Sequence, residues 1–136
     1  MHTSNAARRI LWALVLGHFA VTLVHGAAHA AAAVPMTLAA NVFIVLVIEI
    51  GPLAGLLTLR SSPIPGAWII AATLGGSLIF GIVNHFVIIG ADHVTHIAAR
   101  WRELFVTTAV LLAITEIAGV AAAAWVLGTD ADRASN

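Results

Sequence analysis

Four long apolar stretches, at about residues 10–34, 38–59, 68–90 and 104–127, take up most of this 136-residue chain. Each is near the ~20 residues that an α-helix needs to cross a hydrocarbon core. Inside lipid a backbone must satisfy its own hydrogen bonds, and these Ala, Leu, Ile and Val runs lack the strict alternation of a barrel strand. The expected fold is an all-α integral membrane protein: a four-transmembrane-helix bundle forming a single transmembrane domain over residues 1–136. A water-exposed domain could not be made from the same residues. Hydrophobic types make up 61% of them and charged types only 9%, too few to cover a soluble surface.

The connections read as short. Pro35 breaks the first pair of stretches, and Ser61-Ser62-Pro63-Ile64-Pro65-Gly66 breaks the middle. The polar tail after Gly128 is expected to fray, with His2 in the opposite tail. Arg8 and Arg9 precede an apolar run, as in a signal peptide. That run is too long for one and carries three histidines, so it reads as a retained first helix. Gly51 and Gly55 have the spacing of close helix packing. Trp12, Trp68, Trp101 and Trp125 sit near stretch ends, where interfacial anchors belong.

Zero net charge points to no nucleic-acid partner, and the absence of cysteine excludes disulfides and thiolate ligands. All six positive charges are arginines. Arg8, Arg9, Arg60 and Arg133 fall on one side of a four-span protein, and Arg100 and Arg102 on the other. The excess of positive charge in the cytoplasm then puts both termini there, in a multi-pass protein of a bacterial-type inner membrane. The lipid bilayer is the first partner; a homo-oligomer or a larger membrane complex is the next.

Ionisable residues are scarce, and several recur at one interval. His18-Phe19 returns 67 positions later as His85-Phe86, His29 as His96, and Glu49-Ile50 as Glu116-Ile117, while His25 corresponds to Asp92. This suggests two tandem helical hairpins, at about residues 8–60 and 75–127, related by a parallel pseudo-two-fold axis. On that basis the third helix should continue past Gly90 toward Ala99. His18 and His85 should then matter equally.

Spacings of seven and four residues place His18, His25 and His29 on one helical stripe. His85, Asp92 and His96 form the matching stripe. Such stripes are costly in lipid and should face the bundle interior. Counting from the turns at ~1.5 Å per residue brings His18, His25, Glu49, His85, Asp92 and Glu116 into one central zone. His29 and His96 would make an outer layer, with His93 and Glu103 near its mouth. Glu103 also suits the N-terminal dipole of the fourth helix. Carboxylates and histidines converging from several helices are how bundle-core metal sites are built.

The leading expectation is a membrane metal-binding protein with a His/Glu/Asp centre. Its ligands come from His18, His25, His29, Glu49, His85, Asp92, His96 and Glu116. Imidazole with carboxylate suits a transition metal ion such as iron, copper, manganese or zinc. The chemistry would be redox- or oxygen-linked, as in a metal-dependent membrane oxidoreductase. One alternative is a small b-type cytochrome holding haem b between His18 and His85, and between His29 and His96. It rests on architecture alone, because no cytochrome motif is present. Another is a metal-ion or proton transporter or channel, for which so short a chain would have to oligomerise. His25-x-x-x-His29 lacks the further paired-histidine boxes of membrane hydroxylases, with only Asp92-His93-x-x-His96 beside it.

Overall fold

A computed structural model gives the fold. It describes the backbone of residues 2–134 and the side chains of residues 5–129, so the side chains of His2, Asp130, Asp132 and Arg133 lie outside it. Helix α1 covers His2–Ala31. Helix α2 (Leu38–Phe43) runs through a π-helical segment, Ile44–Ile50, into α3 (Gly51–Ser61). Helix α4 (Pro63–Ile82) ends in a second π-helical segment, Val83–Val87, and α5 covers Ala99–Ala134. No strand occurs among the described residues.

Among the described residues, four helices are long and apolar enough to cross a membrane: Asn5–Ala31, Leu38–Ser61, Pro63–Val87 and Ala99–Thr129. Their outward faces carry exposed side chains such as Leu16, Leu23, Leu57, Ile79 and Ile114. A water-facing surface of that kind is rare, whereas lipid accepts it.

Local chemistry sets the helix ends. Helix α1 closes with Ala33 in the left-handed region (φ 52°) and the Val34 N–H bonded to the His29 carbonyl at 3.2 Å, a Schellman-type stop. The Thr37 side chain caps α2 by accepting from the Ala40 N–H at 3.1 Å. Between α3 and α4 only Ser62 leaves the helical region, at φ −136° and ψ 86°. A residue before proline is pushed toward extended backbone, and proline is tolerated in the first helical turn. The third span therefore begins at Pro63, five residues before the sequence-based boundary. Likewise, α5 continues through Gly128 to Ala134 instead of fraying after Gly128.

The third helix departs further from expectation. It ends at Val87, and residues 88–98 form an irregular loop that places Asp92 and His96 outside any helix. Ile88 turns to extended backbone (ψ 117°). The local sequence, Ile88-Ile89-Gly90, is β-branched and then glycine, which weakly favours helix. The loop supplies the missing partners: the Val94 N–H bonds the His85 carbonyl at 3.0 Å, and the His96 ring bonds the Gly90 carbonyl at 2.6 Å.

Helix α1 packs along α5, α5 along α4, and α4 along α3, while α1 and α3 touch only slightly. The third and fourth spans thus make a packed hairpin and the first and second do not. The half of the bundle nearest the termini is dry. Leu11, Val15, Leu56, Leu59, Ile70, Leu74 and Val126, with Ala7, Ala67, Ala122 and Ala123, form one buried cluster there. Two glycines set the α3–α4 approach. A Cβ on Gly55 would stand 2.5 Å from Ile70 Cγ1, and one on Gly66 would meet the Leu59 backbone.

Candidate metal centre

Toward the opposite end of the bundle the buried side chains become polar. His25 and His29, one turn apart on α1, face His85 from the π-helical end of the third span. His25 Nε2 stands 3.2 Å from His85 Nε2 and 3.2 Å from His29 Nε2. The ligand atoms of all three lie within 4.8 Å of one another, so this set could hold a metal ion. His25 and His85 are buried, and His29 is half-buried.

Neighbouring groups orient two of the rings. Thr108 Oγ1 donates to the carbonyl of Leu104 (2.8 Å) or Phe105 (3.1 Å). Its lone pairs remain free to accept from His25 Nδ1–H at 2.8 Å. That leaves the His25 Nε2 lone pair unprotonated and pointing at its neighbours. His85 Nδ1 lies 3.3 Å from Asp92 Oδ2 and 3.3 Å from the Asp92 carbonyl, so its Nε2 is freed in the same way. His29 Nδ1 has no hydrogen-bond partner. Phe105, fully buried, backs all three imidazoles at centroid distances of 4.7–5.0 Å. Together they form a rigid wall beneath the cluster.

Asp92 reaches the cluster from the loop rather than from an extended third helix. Its Oδ1 is buried and makes no hydrogen bond, although His29 Nε2 is 3.3 Å away.

The other expected site residues separate from this group. His18 is seven residues, or ~10 Å, along α1 from His25. It lies 3.9 Å from Glu116 Oε1, 3.4 Å from Thr22 Oγ1 and 3.5 Å from Thr115 Oγ1. Glu116 is buried and accepts from Ser77 Oγ. Glu49, half-buried, has no polar partner among the described residues and lines a cavity of about 210 Å³ shared by both clusters.

The single central zone is therefore replaced by two zones, because His25 and His29 are one turn apart and His18 two turns below. His29 joins the main cluster instead of pairing with His96. His96 is exposed, and His93 turns to Thr95 Oγ1 at 2.7 Å. The haem pairs His18–His85 and His29–His96 are not brought together. His18 and His85, equivalent in the repeat, occupy different clusters.

Thr108, Phe105 and Ser77 escaped the sequence reading because their types are ordinary in apolar helices. Thr108 had one available signal: the interval of 67 relates it to Asn41, a polar residue on the second span. Against protein-family models, curated proteins and solved structures, the chain finds no match.

Proposed function

We propose that this chain is a membrane-embedded metal-binding protein. Its centre is mononuclear, with His25 Nε2, His29 Nε2 and His85 Nε2 as ligands, Asp92 beside them and the fourth position open. The observation that carries this reading is the spacing of those atoms. Ligands ~2.0–2.1 Å from a tetrahedrally held ion lie roughly 3.3–3.4 Å apart. Two neighbouring pairs here stand at 3.2 Å, and all three ligand atoms lie within 4.8 Å of one another. Two of the three imidazoles also have Nδ1 engaged by a second residue, the usual support of a metal-bound histidine.

Three imidazoles with a carboxylate beside them, and no thiolate, suit a divalent first-row ion such as iron, manganese or zinc. Iron or manganese would carry redox or oxygen-linked chemistry there, and zinc would act as a Lewis acid. A route through the membrane gains no support, because the dry cluster near the termini closes the bundle below His18. The test is elemental analysis of detergent-purified protein, with an absorption spectrum of the same sample. About one transition-metal ion per chain, lost on His25→Ala or His85→Ala, supports the centre. A Soret band, or no bound metal after loading, refutes it.

A further inference from the structure

The cavity beside the cluster asks for an occupant. It is lined by the three proposed ligands and Asp92 at one end and by Glu49, Glu116 and Ser77 at the other, with apolar walls between. Its volume of about 210 Å³ corresponds to roughly seven waters of liquid volume. Glu116 has a partner in Ser77, but Glu49 has none among the described residues. A half-buried carboxylate without a partner is unfavourable unless something else supplies the positive charge or hydrogen bond. Gly26, one residue from His25, lines the cavity and is exposed, and a Cβ there would meet nothing within 4 Å. The cavity therefore reaches the outer surface at the slack seam between the first and second spans.

We infer that this cavity is the binding site of a small organic cation with an apolar body. Its donor atom would face the metal centre, and its ammonium or similar group would face Glu49. The inference rests on the proposed metal centre. The walls match the apolar body, and the two ends differ in chemistry: a Lewis acid with an open side at one, a carboxylate at the other. Access from the membrane through the Gly26 seam suits a molecule that partitions into lipid. A small apolar pocket with a few convergent polar groups is the general form of such sites.

The experiment uses the full chain in detergent, loaded with cobalt(II), whose visible absorption reports its coordination. Two probes are titrated: 1-butylimidazole, and 1-(4-aminobutyl)imidazole, which has the same head and chain with a terminal ammonium. Both should shift the cobalt band, and the aminobutyl probe should bind about tenfold more tightly, the size of one charge-assisted hydrogen bond. Glu49→Gln should remove that preference. Gly26→Leu, which fills the open seam, should weaken both probes with one cobalt still bound. An unshifted band, equal affinities in the unaltered protein, or a second cobalt lost on Glu49→Gln would overturn the inference. Failure of the unaltered protein to bind cobalt would instead refute the metal centre.

Discussion

Thr108→Val isolates the role of one hydroxyl beneath the histidine cluster. The substitution keeps the shape and removes the acceptor of the 2.8 Å bond from His25 Nδ1. Such bonds within membrane bundles average only about 0.6 kcal/mol of stability, so the variant should still fold. Metal affinity should respond more strongly. With Thr108 gone, nothing holds the proton on Nδ1, and a tautomer with Nε2 protonated cannot bind an ion. Loss of such outer partners typically lowers metal affinity 10–100-fold, which is about 1.4–2.8 kcal/mol. Competition against a chelator of known affinity measures this directly, and Thr108→Ser should restore most of the loss. Unchanged affinity in Thr108→Val, with one metal still bound, would refute the tautomer argument. A loss that serine does not rescue would mean that Thr108 acts through packing.

Other outcomes follow from the same geometry. His25→Ala, His29→Ala and His85→Ala should each lose the metal, and Asp92→Ala, which removes a carboxylate beside His85 Nδ1, should weaken it about 10–100-fold, while His93→Ala and His96→Ala retain it; elemental analysis and chelator competition across the set decide. His18→Ala and Glu116→Gln should also retain it, against the equivalence that the repeat suggests for His18 and His85. Phe105→Ala should lower stability by about 3–5 kcal/mol, as expected for a fully buried aromatic, and thermal unfolding in detergent would show it. Removing the ion with a chelator should lower the unfolding temperature, and metal at a hundred times its Kd should return about 2.7 kcal/mol.

The four spans were legible because a ~20-residue apolar run has few other uses. His25, His29 and His85 were legible because an ionisable residue in such a run needs a reason. Which histidines would meet was not. That depended on the third helix ending at Val87, through a weak local preference reinforced by bonds to Val94 and His96 that no periodicity announces. Asp92 was expected as a ligand on a helix; the structure brings it to the cluster on a loop. Thr108 and Phe105 were invisible for a different reason. Their roles come from packing across α5, and threonine and phenylalanine are unremarkable in a membrane helix. Depth counting misjudged His29, because it set His25 and His29 in separate layers, although one turn of helix is a rise of only ~6 Å, which two imidazoles on one face can bridge.

The position of the cluster has an electrical consequence. His29 and His25 lie two and six residues inside the end of α1 at Ala31, and the dry core closes the bundle toward the termini. An ion reaching the cluster from the loop end would cross ~3–9 Å of a ~30 Å insulating layer. A full crossing is worth ~2.3 kcal/mol per charge at 100 mV, so this one is worth about 0.2–0.7 kcal/mol per charge. Charge can therefore arrive at the centre and leave it by the same side with little regard to the membrane voltage, and its occupancy would track the composition of the one compartment that the loop faces.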